Sequence, residues 1–461
     1  MLNALINCFK IPDLRNRLYF TIGALVVFRL GHHIPLPGID QGYMLQRIAE
    51  EQEKGSPLAE MANYISIFTG GSFQQSTLFG LGILPYISAA IIFQLLATVV
   101  DSLKQLQKEG PAGRQKIQEY TRYATFFLCL FQSVIYLNLF RNMQMVEKGW
   151  GGSMTYWVCG IMGLTTGTMF LVWLGEQIDK YGLGNGASLI IAAGIIGQIP
   201  DALTWVVREF TWTVGDQTRT MTPMKVLFLL AAFIFVVGGT VLITQGQRRI
   251  PVQQAKHTRG RRVYGGQKHY LPLRVNHGGV MPIIFASTLM MVPTMLFPWL
   301  EKVWPNPVFE FLSRELGRST GFPFLHLLFY ITLIYFFAYF WTSVQFQPRE
   351  MAENLRDHGS FIPGLRPGPR TAEYLEKVME RITYVGAGFL SVIAIVPTII
   401  SSAMGIPLYV SAFLGGTGLL ILVSVALDFI QRIEANLLMR NYKGFLSGEG
   451  AAHGPRIRGP R

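Results

Sequence analysis

MANYISIFTGGSFQQSTLFGLGILPYISAAIIFQLLATVV, residues 61–100, decides how this chain is read. The stretch contains no Lys, Arg, Asp or Glu. A helix crosses a ~30 Å hydrocarbon core with ~20 residues, so the stretch is too long for one span. It is too broken for two, because Thr69-Gly70-Gly71-Ser72 and then Gln74-Gln75 interrupt it. Non-helical backbone at membrane depth survives only inside protein or beside a water-filled cavity. The stretch therefore reads as a half-inserted segment ending near Ser76 and a full span from Thr77 to Val100. A segment that dips in and returns points to a pore or to a site at the midplane.

The rest of the chain agrees with a membrane setting. Of 461 residues, 50% are hydrophobic and 15% charged, and the mean hydropathy is +0.33. That composition argues against two or three soluble domains and for a polytopic membrane protein. A net charge of +13 would suit a nucleic-acid binder, but Lys and Arg also accumulate in the cytoplasmic loops of membrane proteins. The start, MLNALINCFKIPDLRNRLYF, has no basic stretch ahead of an apolar core and no small-residue cleavage site. The first span is therefore expected to stay in the mature protein. Cys8, Cys129 and Cys159 form no disulfide framework, no metal spacing is present, and no cofactor is implied.

Residues 1–16 read as an amphipathic surface helix, with Leu2, Leu5, Ile6 and Phe9 on one side. Ten spans are expected: 17–34, 77–100, 120–140, 154–174, 186–207, 224–244, 278–299, 324–346, 382–403 and 407–430. They divide into an N-terminal half, 17–207, a connection at 208–223, a C-terminal half, 224–438, and a basic tail, 439–461. The loop at 245–276 carries Arg248, Arg249, Lys256, Arg259, Arg261, Arg262, Lys268 and Arg274 and no acid. Loop 347–371 adds Arg349, Arg356, Arg366 and Arg370. With ten spans these loops and both termini share one side, which the positive-inside rule makes cytoplasmic. Both loops are longer than closure requires, as loops that carry function tend to be.

Three patterns bear on chemistry. Gly82-Ile-Leu-Pro85-Tyr-Ile87 and Gly279-Val-Met-Pro282-Ile-Ile284 share Gly-x-x-Pro-x-Ile five spans apart. Corresponding broken helices in two five-span halves suggest an inverted repeat with the site between them, each Pro loosening its helix one turn back. Coincidence is the alternative, since Gly and Pro are common in membrane helices. Second, the interiors of spans two, five, six, seven and nine read as uncharged, with Asp201 toward the end of span five and Lys225 at the start of span six, whereas transporters and pumps usually carry ionisable residues inside. Glu176, Asp428 and Arg432 sit at span ends, and no Ser–His pair or paired Asp lies within spans, which disfavours an ion-coupled transporter and an intramembrane protease. Gly182-Leu-Gly184-Asn-Gly186 has the look of a phosphate loop but lacks the Lys-Ser/Thr that should follow. Third, the basic loops suit anionic lipid, or a large acidic partner or RNA backbone, and charge alone does not separate these.

The motifs now on the page resemble those of the SecY family, the channel-forming subunits of the bacterial Sec protein translocase. The likeness covers about residues 17–445. Its most specific stretches are FRLGHHIPLPGID (28–40), FGLGILPYISAAIIFQLL (79–96), KEGPAGRQKIQEYTRY (108–123), GTMFLVWLGEQI (167–178) and GLGNGASLII (182–191). Further ones are GQRRIPVQQAK (246–256), GRRVYGGQ (260–267), LPLRVNHGGVMPIIFAS (271–287), QPREMAENLR (347–356), GSFIPGLRPGPRT (359–371) and FLGGTGLLI (413–421).

The resemblance implies an all-α polytopic fold: ten transmembrane helices in two pseudo-symmetric five-helix halves, like a clamshell, around an hourglass pore. It implies a plug at about 63–76, including Asn63, Ile65, Ile67, Phe68, Gly70, Gly71 and Phe73. It maps a pore ring onto Ile83, Ile87, Ala187, Ile191, Ile284 and Ile421. It implies a lateral gate of helices two and three against seven and eight, with Pro85, Gln94, Gln132 and Pro282. Motor or ribosome docking maps onto Arg248, Arg249, Arg261, Arg262, Arg349 and Arg366. The expected partners are the SecE and SecG subunits, the SecA motor ATPase, the ribosome, signal peptides and nascent membrane proteins, anionic lipids, YidC and SecDF. The expected place is the bacterial cytoplasmic membrane, and the expected activity that of a passive channel, not an enzyme.

A ring of branched aliphatics offers no hydrogen bonds to choose among passing side chains, while its narrow apolar throat excludes water and ions. Isolated isoleucines in membrane helices otherwise pack against lipid or core. Ala187 is small where a bulky apolar residue is common, so Ile191 is expected to carry the closure there. The tail GEGAAHGPRIRGPR is expected to be disordered and to touch ribosome or anionic lipid. A secondary transporter for a small solute is the competing reading, disfavoured by uncharged span interiors and large basic loops.

Overall fold

The computed structural model describes residues 9, 11–44, 69, 76–142, 145–147, 149, 153–210, 221–254, 257–259, 262–264, 266, 268–316, 324–404, 406, 410 and 417–446. Helix α1 spans Pro12–Gly31, with Pro12 at its first turn, where a missing N–H costs nothing. Leu14, Leu18, Thr21, Ala24, Phe28 and Gly31 are its buried face, at helical spacing. Tyr19, Ile22, Val26 and Leu30 on the other side are exposed and apolar, as a lipid-facing surface requires.

The second span departs from expectation. Residues 76–83 are turns and helix α2 runs over Leu84–Val99. Pro85 does not loosen a helix; it stands in the first turn of one, with Ile83 as the preceding cap. Pro282 does the same for α9, Met281–Val303, behind Val280. A proline ring preset for the helical φ and lacking a donor fits a helix start better than a helix interior. After α2 the chain bends by 103° into α3, Asp101–Lys108.

Helices α4 (Pro111–Asn142) and α5 (Met154–Tyr181) follow, the latter capped by Ser153 on the Thr155 N–H. Both outrun the spans expected from their apolar runs because their polar ends continue as helix beyond the apolar core. The fifth span is two helices, α6 (Gly186–Gly197) and α7 (Ile199–Arg208), meeting at Gln198 ahead of Pro200. Helix α8, Pro223–Gln245, is capped by Thr222. Beyond α9 lie α10 (Pro307–Leu316), α11 (Phe324–Gln345), α12 (Pro348–Asp357), α13 (Pro369–Met404) and α14 (Thr417–Leu446).

Among the described residues seven helices are long and apolar enough to cross a membrane, eight if the bent α2–α3 pair is one span. Helices α1 and α14 are also long; Arg15, Arg17 and Arg29 in one, and Asp428, Arg432 and Glu434 in the other, make them more polar. Extensive packing joins α1 with α5 and α6, α2 with α4, and α4 with α5. In the second half it joins α8 with α13 and α14, α9 with α10 and α11, α11 with α13, and α13 with α14. Between the halves only α6 with α14 packs this extensively among the described elements.

The strands lie between α8 and α9 and beside α12. Strands β1 (Gln247–Gln254), β2 (His257–Arg259), β3 (Arg262–Tyr264) and β4 (Lys268–Arg274) belong to the 245–276 loop, and β5 (Ser360–Phe361) to the 347–371 loop. β2 and β3 pair with each other, while the other three form a sheet of order β4-β1-β5. Of the expected surface helix at 1–16, residues 1–8 and 10, with Leu2, Leu5 and Ile6, lie outside the described residues; Phe9 is described and exposed, and 12–16 are already α1. Residues 447–461 of the tail lie outside them too, and 439–446 continue α14.

Candidate functional site

Two matching turns set the centre. Gly82 and Gly279 both have φ +58°, a left-handed conformation that disfavours any side chain. Each is followed by one cap residue and a helix with proline in its first turn. The shared Gly-x-x-Pro-x-Ile pattern thus corresponds to a shared local structure at the starts of α2 and α9. Ile83, Ile87, Ile191, Ile284 and Ile421 are all buried and belong to one apolar cluster. They reach it from α2, its preceding turn, α6, α9 and α14. Ala187 is only half-buried and packs against that cluster from the first turn of α6.

The other expected positions fall as follows. Pro85 and Pro282 are buried, Gln94 on α2 and Gln132 on α4 are half-buried, and α2 packs on α4 as α9 packs on α11. No extensive packing joins α2 to α9 among the described elements. Asn63, Ile65, Ile67, Phe68, Gly70, Gly71 and Phe73 lie outside the described residues. Within that stretch Thr69 is described: it is buried, and a Cβ placed on Gly82 would lie 3.1 Å from its methyl group.

The PLPGID motif explains how the chain leaves this stretch. Leu36 donates its N–H to the Ser76 carbonyl at 3.0 Å, and Leu78 donates to Ile34 at 2.9 Å. Asp40 and Glu147 make the corresponding bonds with Met145 and Gly38. Residues 34–40 are thus clamped between 76–78 and 145–147. Leu36, Ile39, Met44, Leu81, Phe140, Met145 and Tyr156 bury together around this clamp. Gly167 lets the backbone of Leu78 lie directly on α5, since a Cβ there would fall 2.2 Å from the Leu78 carbonyl oxygen.

The glycine loop at 182–186 serves the fold. Leu183 N–H donates to Thr21 Oγ1 at 3.0 Å, Gly186 N–H to Asp179 Oδ1 at 2.7 Å, and Ser188 N–H to Asn185 Oδ1 at 3.1 Å. These amides point at the chain's own oxygens rather than at a phosphate. The charges at span ends are paired: Glu176 with Arg122 across α4 and α5, and Asp428 with Arg432, which also reaches the Gly184 carbonyl.

The two basic loops, 245–276 and 347–371, are one structure. Gln253 and Gln254 of β1 pair with Phe361 and Ser360 of β5, tying loop 347–371 to loop 245–276. Ile250 and Val252 alternate with exposed Arg249 and Pro251 along β1, as a strand with one buried face requires. Ile250, Val252, Leu273, Phe346, Ile362, Leu375, Val378, Met379 and Ile382 bury together beneath the sheet. Arg248, Arg249, Arg349 and Arg366 are exposed around this core. Arg366 is held through its carbonyl, which accepts from Thr371 Oγ1 at 2.9 Å. Arg262 lies on β3, and Arg261 is outside the described residues. Burial lowers the pKa of His277, at the neck between β4 and α9. Pairing between the loops was not foreseen from sequence; the short extended stretch Gly359-Ser-Phe-Ile was its only local sign.

A family model for SecY matches residues 77–430. The protein translocase subunit SecY of Thermotoga maritima is 41% identical over 461 residues, covering 99% of this chain and 100% of that protein. The SecY subunit of Escherichia coli K12 is 41% identical over 441 residues, with 94% of each chain covered. Among solved structures, one described as a protein conducting channel superposes with a TM-score of 0.57 at 18% identity, covering 97% of this chain and 95% of that one. Sec61 in the canine ribosome-channel complex from the endoplasmic reticulum gives 0.56 at 18% identity, with the same coverage.

Proposed function

The chain belongs to the SecY family, and from that membership we propose how its own residues conduct polypeptide. It is a protein translocation channel of the membrane. The observation that carries the mechanism is the burial of Ile83, Ile87, Ile191, Ile284 and Ile421 in one cluster fed by four helices and a turn. Aliphatic side chains from opposed helices form the throat. They part for an extended chain of any sequence and close behind it, because nothing in them hydrogen-bonds to the cargo. Bulk on both sides of such a constriction keeps ions out by refusing them water.

Residues 17–207 and 224–438 act as two halves. The packing of α6 on α14 serves as the hinge, and the sparsely packed seam between α2–α4 and α9–α11 opens toward lipid for signal peptides and membrane segments. The 63–76 segment closes the noncytoplasmic mouth. The chain itself is not an enzyme; energy comes from the SecA motor or the translating ribosome, which dock on Arg248, Arg249, Arg261, Arg262, Arg349 and Arg366. SecE and SecG complete the channel, YidC and SecDF act beside it, and anionic lipid contacts the basic loops and tail. It lies in the bacterial cytoplasmic membrane with both termini inside.

Ion conductance across planar bilayers tests the throat. Ile191→Gly is expected to raise the leak of the resting channel about tenfold, and Ala187→Gly to leave it near wild type, since Ala187 offers little to remove. An Ile191→Gly trace as tight as wild type would contradict the assignment.

A further inference from the structure

Helices α1 and α6 run side by side in the same direction. Leu14 and Leu18 near the start of α1 pack with Leu183, just ahead of α6. At the other end, Arg29 in the last turn of α1 donates a guanidinium N–H to the carbonyl oxygen of Gly197, the last residue of α6, at 3.2 Å. This contact lies at a break. Helix α6 stops at Gly197, and α7 begins at Ile199 with Pro200 in its first turn. Pro200 has no N–H to offer the Ile196 carbonyl, which takes the Gln198 N–H instead. A helix end leaves carbonyl oxygens without a partner in the ladder and carries partial negative charge. The last turn of α6 holds no basic residue, so the cation comes from α1. One guanidinium therefore serves the negative ends of two parallel helices. Gly197 leaves room for it, since a Cβ there would fall 2.9 Å from the guanidinium carbon.

The same seam runs into the throat. Ala24 and Phe28 of α1 are buried in one cluster with Ile190, Ile191 and Ile195 of α6. Ile191 lies ~9 Å down the helix axis from Gly197. We infer that Arg29 is a positioning residue of the throat: by fixing the end of α6 to α1 it keeps Ile191 in the aliphatic ring. The inference rests on the channel reading in taking these isoleucines as the throat.

The test uses the full chain with its companion subunits and two readouts, resting ion conductance in planar bilayers and hydrogen exchange in liposomes. Arg29→Ala is expected to raise the leak roughly fivefold, as loss of about one hydrogen bond would. Exchange over 190–197 should become faster, with exchange in α11 unchanged. Arg29→Lys, which keeps a cation at the helix ends, should restore most of the seal. Gly197→Ala displaces the guanidinium, the far end of a flexible side chain, and should leak as Arg29→Ala does. The double variant should leak no more than either single one. A wild-type leak in Arg29→Ala, or additive leaks in the double variant, overturns the inference. So does faster exchange without added leak, which would make Arg29 a brace of the fold alone. If Arg29→Ala does not fold, Gly197→Ala carries the test, and a wild-type leak there overturns the inference equally. A wild-type chain that moves no polypeptide, with the Arg29-dependent exchange intact, would instead strike the channel reading.

Discussion

Gly186→Val is expected to remove most of the folded protein. A Cβ at this position would lie 2.0 Å from the Gly175 carbonyl oxygen and 2.6 Å from its carbon, both main-chain atoms. The obstacle is therefore the crossing of α5 and α6, and no side chain can rotate away. Close backbone approach at small residues is how membrane helices gain packing without a hydrophobic drive. Overpacking a well-filled site costs ~1–3 kcal/mol even where side chains can shift. Here backbone must move, and the Gly186 N–H bond to Asp179 moves with it. Against a total stability of ~5–15 kcal/mol that loss is large. The yield of monodisperse protein in mild detergent measures it. Gly238→Ala is the control, since a Cβ there meets nothing within 4 Å. Wild-type yield for Gly186→Val would contradict the packing described.

The second large effect is expected from Ile250→Asp. Ile250 is 2% exposed and sits in the cluster beneath the β4-β1-β5 sheet. Burying an unpaired carboxylate among aliphatics costs several kcal/mol, more than the ~1.5–3 kcal/mol that Ile burial supplies. The sheet should open locally while the spans remain folded, because this cluster is separate from the one holding Ile83, Ile87, Ile191, Ile284 and Ile421. Arg248 and Arg249 would then lose their fixed relation to Arg366. Ribosome affinity is expected to fall at least tenfold. Hydrogen exchange over 247–254 is expected to become fast, with exchange in α5 and α9 unchanged. Protected strands in the variant would show that the two loops do not depend on this core.

How far the sequence could be read follows from what its signals measure. Uncharged runs located the spans because lipid admits few charges, and basic loops stood out for the same electrostatic reason. Helix ends were misread where that signal is silent. Lys116 and Glu119 of α4, and Glu373 and Lys377 of α13, lie in helix that continues past the apolar runs. Pro85 and Pro282 were visible as breaks, but a proline specifies only its own φ and missing donor, and these suit a helix start as well as a kink. The isoleucine positions came from family resemblance; they enter one apolar cluster from four distant segments, which leaves no local signature. The joining of β5 to β1 was hidden for the same reason, since two paired residues about a hundred positions away leave no periodicity. Thr69 and His32 were each in view, yet only the fold brings the Thr69 carbonyl to the His32 ring.

The central claim is that this chain passes unfolded polypeptide across a membrane. The most direct test reconstitutes it with its companion subunits in sealed liposomes and adds the motor, ATP and a signal-bearing unfolded protein. The account predicts ATP-dependent protection of that protein from external protease, lost in Arg366→Glu, whose exposed guanidinium lies beside the Thr371-anchored turn. No protection with the wild-type chain, in vesicles where a control translocase works, would contradict it.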